Sequence, residues 1–472
     1  MTPNSSLADG LQQTFLCAIY SREEFLFEVV SMLKMRNVPA SGVLFHVIVL
    51  VLVAASAVTV FPQRSQSGNP IDRVLQDAIS AKKVPGVVAM VVVGDKITYQ
   101  GAAGIRDADK NIPMSVDSIF RIASMTKPVT SVAVMQLVED GRVKLDEPAA
   151  TYLPDLAHVQ VVDRLDSSTG KARLRAPKTI PTVRQLLSHT SGFAYEFFDP
   201  ELHRYVESGA IPSARQGEDA FMKAPLMSDP GSRWEYGVST DWLARLVEKV
   251  SGQNLEDYFH QHIFAPLGME DTFYNVPPDK QARVVPIYQR RDDGSFEQFP
   301  PEPFKPVRFF SGGGGLYSTA SDYLKFERML LDGGRAGKIR ILRPETVELM
   351  TRNQIGDLNL VPMRSLNPSL ARDPTYLPGS LDKFGLGFAI NTKPVTGGRA
   401  AGSFAWAGIF NTFFWIDPSR KTCAVILMQV LPFSNEAAIS VAEDFERAVY
   451  ASPSLRSRFQ PDSMTASVPR RR

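Results

Sequence analysis

FRIASMTKPVTSVAVMQLVEDG, residues 120–141, is the stretch from which the rest of the chain can be placed. Its apolar residues recur at helical spacing through Val129, Val132, Met135 and Val138, and Gly141 ends the pattern, so the segment predicts a helix opening near Ser124. Ser124 and Lys127 stand three residues apart at its start. Residues at that spacing share a helix face, roughly 4.5 Å apart along the axis, which brings Lys127 within reach of Ser124. A serine hydroxyl is a weak nucleophile until a neighbour accepts its proton, and a partly desolvated lysine can do that. The pattern alone is common: Ser-x-x-Lys occurs at Ser31, Ser80, Ser124, Ser168 and Ser380, and a solvated Ser/Lys pair has no necessary function. The apolar helix behind Ser124, and the motifs downstream of it, set this one apart.

Working outward, residues 71–82 place Ile71, Val74, Leu75 and Ile79 at helical spacing. Residues 86–93 (GVVAMVVV) and the KITYQGAAG run flank Gly94-Asp95, which reads as an antiparallel hairpin. Near the other end, residues 384–390 (FGLGFAI), 411–416 (NTFFWI) and 422–429 (TCAVILMQ) are strand-like. Asp417-Pro418-Ser419-Arg420 is the turn between the last two, and residues 435–450 close the domain as a helix. Strands at both ends and a helix-rich middle predict an α+β fold: one antiparallel sheet assembled from both termini, flanked by helices, with a helical subdomain inserted. Within that middle, residues 239–250 form a further helix with Trp242, Leu246 and Val250 on one face. Residues 283–306 and 353–383 lack periodicity and are expected as lids or binding walls.

Four further motifs follow Ser124 in order: Leu186-Leu187-Ser188-His189-Thr190-Ser191-Gly192, then Pro230-Gly231-Ser232-Arg233-Trp234-Glu235-Tyr236, then Gly312–Tyr317 (GGGGLY), then Trp406-Ala407-Gly408 with Phe414-Trp415-Ile416-Asp417-Pro418. With Phe120–Lys127, this series resembles the serine β-lactamase and penicillin-binding protein superfamily, and within it the class C-like branch that includes esterases and D-aminopeptidases. The resemblance covers about residues 70–450 and implies a β-lactamase/transpeptidase-like fold with no metal or organic cofactor. It implies Ser124 as the acylated nucleophile, Lys127 as its activating partner, and Tyr236 as the group that passes the proton to the leaving group and later helps water attack. A tyrosine serves as a base only if neighbouring cations favour its anion, so Lys127 and Tyr236 are expected to act as a unit. The oxyanion hole would be the backbone N–H of Ser124 and of Ile409, the latter on an edge strand.

Two departures bear on the substrate. Where the lactamase pattern has an asparagine two residues past the tyrosine, this chain has Val238; where it has Lys-Thr-Gly, this chain has Trp406, Ala407 and Gly408. Losing a cation and a hydroxyl removes charge-assisted recognition of a carboxylate, about 1.5–3 kcal/mol per bond. A tryptophan there favours an uncharged, apolar acyl or alcohol group. Ester hydrolysis or acyl transfer is therefore expected over efficient β-lactam destruction, with a small-molecule ester, amide or lactam as substrate. Two alternatives stay open: β-lactamase, D-alanyl carboxypeptidase or D-aminopeptidase action, and a non-turnover penicillin-recognising sensor or scaffold. Retention of Lys127 and Tyr236 argues against the last.

Competing motifs point elsewhere only weakly. His189 has no G-x-S-x-G elbow to serve and is expected to be structural. His260 and His262 suit a helix face rather than a zinc site. The Gly312–Gly315 run lacks the Lys-Ser/Thr of a phosphate loop and is expected as a tight turn beside the site.

Composition sets the limits around this reading. The 472 residues are 44% hydrophobic and 22% charged, a globular composition, and 52 Lys plus Arg against 50 Asp plus Glu leave a net charge of only +2. That balance offers no footprint for nucleic acid, whose binding needs clustered cations. Cys17 and Cys423 are the only cysteines, too few for a disulfide framework. Residues 42–61 (GVLFHVIVLVLVAASAVTVF) carry no formal charge and are long enough to cross a bilayer core. Lys34 and Arg36 precede them and Ala55-Ser56-Ala57 resembles a cleavage site, so export is expected, by cleaved signal or N-terminal membrane anchor. The acidic residues Glu23, Glu24 and Glu28 suit no ordinary signal, and a start at Met32 or Met35 would restore one. The expected organisation is an extension (1–41), the signal or anchor (42–61), a linker (62–70), one catalytic domain (71–450) and a basic tail (451–472). At about 150 residues per domain the length suggests three domains, but the motif order favours one catalytic unit with long loops.

Overall fold

In the computed structural model, eight strands form one antiparallel sheet built from the two ends of the described chain. The structure describes residues 68–452 and Leu455, apart from 167, 170, 214–218, 220–222, 301 and 374–380. The extension, the apolar segment 42–61, most of the linker and nearly all of the basic tail, with Ser31, Ser380 and Cys17, lie outside the described residues.

Helix α1 (Pro70–Ser80) starts on Asn69, whose side chain accepts from Ile71 N–H, with Pro70 at the position where a missing N–H costs nothing. Strands β1 (Gly86–Val93) and β2 (Lys96–Asp107) follow as the expected hairpin, and β3 (Ile112–Pro113) edges the sheet. From the C-terminal half come β4 (Leu381–Phe384), β5 (Ala389–Asn391), β6 (Phe404–Gly408), β7 (Thr412–Asp417) and β8 (Thr422–Leu427). The spatial order is β4-β5-β6-β7-β8-β1-β2-β3. The two halves join where β1 pairs with β8, Val88 opposite Leu427 and Val93 opposite Thr422. Every residue of β1, β7 and β8 is buried, which a sheet covered on both faces requires.

Neighbouring side chains on β7 show the two covers, because successive residues of a strand face opposite ways. Phe414 meets Tyr323 of helix α5 (Ala320–Leu331) with ring centroids 5.1 Å apart, and Trp415 meets Phe445 of helix α6 (Glu436–Ala451) at 5.4 Å. On the α5 side lies helix α2 (Thr126–Glu139), buried almost all round, as its run of small and apolar residues demands.

Three expectations need correction. Residues 384–390 are not one strand: β4 ends at Phe384, β5 begins at Ala389, and the chain reverses between them. Gly387 sits at φ +99°, open to glycine alone at no cost, and a Cβ on Gly385 would lie 2.1 Å from the Met350 carbonyl oxygen. β6 is third from the sheet's edge, not the edge strand. Its outer partner β5 pairs only with Phe404 and Ala405, so residues 406–408 have a ladder partner on β7 alone. The irregular segment 283–306 is partly ordered too: Tyr288–Arg290 and Phe296–Gln298 form a hairpin alongside Val430–Leu431.

The helical insertion includes α3 (Val183–Leu187), closed by a reciprocal capping box between Thr182 and Gln185, and α4 (Ser239–Ser251), which ends at the left-handed Gly252. It also carries a small hairpin, Val161–Leu165 with Ala172–Arg175. Among the described residues no helix is long and apolar enough to cross a membrane.

Candidate active site

Ser124 sits in a 3-10 turn (Ala123–Met125) that runs directly into α2. Ala123 is held at φ +45°, a left-handed conformation unfavourable for a residue with a Cβ. The surroundings fix that turn: Ile122 N–H donates to the Leu316 carbonyl at 3.1 Å, and the Tyr323 hydroxyl donates to the Met125 carbonyl at 2.8 Å. β6 presses against the same turn, where a Cβ on Gly408 would lie 2.3 Å from the Ile122 carbonyl oxygen.

Lys127, one helical turn on, is 1% exposed. Its Nζ lies 3.2 Å from Ser124 Oγ, 3.0 Å from the Tyr195 hydroxyl and 2.7 Å from the Gly313 carbonyl oxygen. It also lies 4.8 Å from the centroid of the Tyr236 ring. The Tyr236 hydroxyl donates to Ser124 Oγ at 2.8 Å. The structure thus brings together Ser124 and Lys127 from one motif and Tyr236 from another.

The SHTSG and PGSRWEY motifs act as a pair that positions Tyr236. Gly231 N–H donates to the Thr190 carbonyl, Glu235 N–H to that of His189, and Tyr195 N–H to that of Tyr236. Gly237 has no room for a side chain, since a Cβ would lie 2.2 Å from the Phe193 carbonyl oxygen. His189, at φ +55°, packs at a tilt against Tyr236 with centroids 5.1 Å apart. Burial, and secondarily the Lys127 charge, hold its imidazole well below the ordinary histidine range, so it stays neutral. Burial raises Glu235 to about 7 against the pull of Arg233.

The open face of the triad is a cleft of about 440 Å³. Trp406, Ala407, Gly408 and Ile409 line it, as do Ser124 and Tyr236; Val238 is not among the lining residues and lies buried at the start of α4. Phe197, Phe198, Phe309, Phe410 and Phe433 make the rest largely aromatic, and Asp241 is the one charged lining residue among those described. Trp406 is wedged edge-on between Tyr236 at 5.2 Å and Phe384 at 5.4 Å. Of the irregular stretches, 353–383 contributes Met363, whereas the wall expected from 283–306 comes from Val307 and Phe309 just beyond it. A larger cavity, about 1130 Å³, borders Trp242, Arg245 and Glu248 of α4, and none of Ser124, Lys127 and Tyr236 lines it. His260 is exposed and His262 stacks on Tyr258 at 4.3 Å. Among the described residues no three or more His, Cys, Asp or Glu side chains gather as a metal centre needs.

Sequence reasoning missed Tyr195, Asp241 and Gly313. The glycine run is more than a turn: Gly312 and Gly313 present carbonyls to Thr130 Oγ at 2.8 Å and to Lys127 Nζ. Tyr195 stands three residues past SHTSG, and its distance from Ser124 in sequence concealed it. Burial, followed by the negative charge of Asp241, drives its phenol well above the usual range, so it stays protonated.

Known proteins are similar to this chain in sequence and in fold. The beta-lactamase family model matches residues 71–445. The chain is 31% identical over 398 residues to monacolin J acid methylbutanoyltransferase of Aspergillus terreus, covering 81% of this chain and 95% of that protein. It is 30% identical over 401 residues to lovastatin esterase of Penicillium rubens, covering 80% and 98%. The unliganded structure of simvastatin synthase (LovD) from Aspergillus terreus superimposes with a TM-score of 0.69 at 30% identity, covering 82% and 99%. The fold is thus the β-lactamase/transpeptidase one, and the relatives named are enzymes of acyl transfer and ester cleavage. This chain is a member of the beta-lactamase family, an enzyme of the serine hydrolase type from its esterase and acyltransferase branch.

Proposed function

We propose that the protein forms an acyl-enzyme on Ser124 and passes the acyl group to water or to an alcohol. The observation that carries this is the placement of Ser124 Oγ, 3.2 Å from Lys127 Nζ and 2.8 Å from the Tyr236 hydroxyl, beside an aromatic cleft. In acylation Ser124 Oγ attacks the ester carbonyl as its proton passes to the amine of Lys127. The Gly313 carbonyl can only accept, so it takes one amine N–H and helps aim the lone pair at Ser124. The C–O bond to the alcohol then breaks, and the alcohol leaves with a proton delivered through Tyr236. Deacylation reverses the sequence with water or a second alcohol as nucleophile. Backbone N–H groups of Ser124 and Ile409, which border the same cleft, stabilise the oxyanion in this scheme.

The substrates we propose are esters joining an aliphatic acyl group to a bulky apolar alcohol. Two things support this: no lysine or arginine is among the described lining residues to hold a carboxylate, and two relatives are a methylbutanoyltransferase and lovastatin esterase. The test is turnover of p-nitrophenyl butyrate and of a chromogenic cephalosporin by parent and Ser124→Ala. Ester turnover that vanishes in the variant is expected; full activity in Ser124→Ala would refute the assignment. Cephalosporin turnover exceeding ester turnover would favour lactamase action, and a single stoichiometric burst would favour a sensor. For residues 42–61 we propose export, tested by N-terminal sequencing of protein recovered outside the cytoplasm.

A further inference from the structure

Lys127 makes its three polar contacts with neutral groups: Ser124 Oγ, the Tyr195 hydroxyl and the Gly313 carbonyl. When it takes the serine proton it becomes a buried ammonium ion, and a buried charge without a counter-charge is costly. The carboxylate in position to supply one is Asp241, on the first turn of α4, 3% exposed and bordering the same cleft. Its Oδ1 accepts from Ser311 Oγ at 2.6 Å and from Gly313 N–H at 3.0 Å. The Gly313 residue that donates to Asp241 is therefore the residue whose carbonyl accepts from Lys127. No side chain fits there: a Cβ on Gly313 would lie 2.7 Å from Asp241 Oδ2 and 3.0 Å from the Tyr195 hydroxyl.

We infer that Asp241 is the positioning carboxylate of this site: through Gly313 it fixes the carbonyl that orients Lys127, and its charge stabilises the ammonium ion formed when Ser124 is acylated. This rests on the Ser124 acyl-enzyme reading and extends it to a fourth group. The titratable and charged groups facing the pair are Arg245 on α4, Tyr195, Tyr236, Tyr274 and His189. Burial raises the Asp241 carboxyl above its ordinary range, while Lys127, the Ser311 hydroxyl, the Gly313 N–H and Arg245 pull the other way.

No bond to Asp241 forms or breaks in the reaction. The proton leaves Ser124 Oγ, resides on Lys127 Nζ while the acyl–Oγ bond forms, and departs on the alcohol. Asp241 takes part through its position and charge and not as a proton carrier.

Asp241→Asn retains an oxygen that can accept from Ser311 and Gly313, and removes the charge. We expect kcat on a simple ester to fall on the order of 10- to 100-fold, part of the 10²–10⁴ that acid–base catalysis supplies. KM should stay within about threefold, and the pH limb on which the base deprotonates should move about one unit lower, because the ammonium form has lost its counter-charge. Asp241→Glu, which keeps the charge, should keep the limb. A parental pH profile in Asp241→Asn, or the same loss with an unmoved limb in both variants, would overturn the inference. If Asp241→Asn fails to fold by circular dichroism, Ser311→Ala carries the test: it loosens the carboxylate without removing its charge and is expected to lower kcat at constant KM, and an unchanged kcat overturns the inference. Activity surviving in Ser124→Ala defeats the acyl-enzyme reading itself; an inactive Ser124→Ala beside a parental Asp241→Asn defeats only the role of Asp241.

Discussion

Removing one oxygen from Tyr236 separates proton delivery from everything else the ring does. In Tyr236→Phe the 2.8 Å hydrogen bond to Ser124 Oγ is lost. The ring's packing against His189 at 5.1 Å, Tyr195 at 5.1 Å, Trp406 at 5.2 Å and Trp234 at 6.3 Å is retained. So is the seat of Lys127 over its face. The stability cost is therefore that of a single hydrogen bond, about 0.5–1.5 kcal/mol. The catalytic cost is larger, because acid–base assistance contributes on the order of 10²- to 10⁴-fold, or roughly 3–5 kcal/mol of barrier at 1.36 kcal/mol per tenfold. The loss should depend on the leaving group. An alkoxide must be protonated as it departs, whereas p-nitrophenolate leaves as a stable anion. Tyr236→Phe should therefore lose its full 10²- to 10⁴-fold on an ethyl ester and about tenfold less on a p-nitrophenyl ester of the same acid. Stopped-flow acylation rates on the pair, with thermal melts to verify the fold, make the comparison. Equal losses on both esters would refute the assignment of Tyr236 as the leaving-group acid.

Three other perturbations follow from the geometry. Gly408→Ala drives a methyl into the Ile122 carbonyl and Thr412 Oγ, both 2.3 Å away, and should lower kcat at least tenfold while leaving the melting temperature within a few degrees, since β6 moves off the Ser124 turn before the sheet fails. Trp406→Ala removes the wedge between Tyr236 and Phe384; a large-to-small core change costs about 3–5 kcal/mol of stability, and kcat/KM should fall more for bulky apolar alcohols than for ethyl esters in a substrate panel. Glu327 on α5 is fully buried, no hydrogen-bond partner among the described residues reaches either carboxyl oxygen, and burial alone pushes its carboxyl well above the usual range. The folded state then holds a proton that the unfolded chain releases above its own carboxylate pKa, so stability declines as pH rises from that pKa toward the folded one, by up to 1.36 kcal/mol per pH unit. Glu327→Gln should flatten the curve by that slope in urea unfolding from pH 5 to pH 8, and a constant offset between the two curves would refute the protonated state.

What the sequence disclosed, and what it withheld, divides along the range of the interactions. Residues 120–127 and 230–236 were legible because the chemistry needs fixed residue types at fixed spacing, and the β1–β2 hairpin because Gly94-Asp95 interrupts two β-rich runs. The division of 384–390 into β4 and β5 was hidden, because its cause is an approach to Met350, 35 residues earlier in the chain than Gly385. Val238 stands where the resemblance puts a substrate-binding asparagine, yet at the start of α4 it turns into the core, leaving the cleft wall to Phe309, Met363 and Phe433 from distant loops.

The same division explains why Asp241 escaped notice. It looks like an ordinary acidic residue in the first turn of a helix, where a carboxylate complements the helix dipole. What singles it out is its pairing with Ser311 and Gly313, seventy residues on. That pairing explains the glycine run as well. Gly313 is constrained on three sides, by Asp241 at its N–H, Lys127 at its carbonyl and Tyr195 where a side chain would stand. Gly313→Ala should therefore disturb catalysis as Asp241→Asn does, but through position rather than charge: kcat falls and the pH limb stays where it is. A shifted limb in Gly313→Ala would mean that charge and geometry at Lys127 cannot be separated in this site.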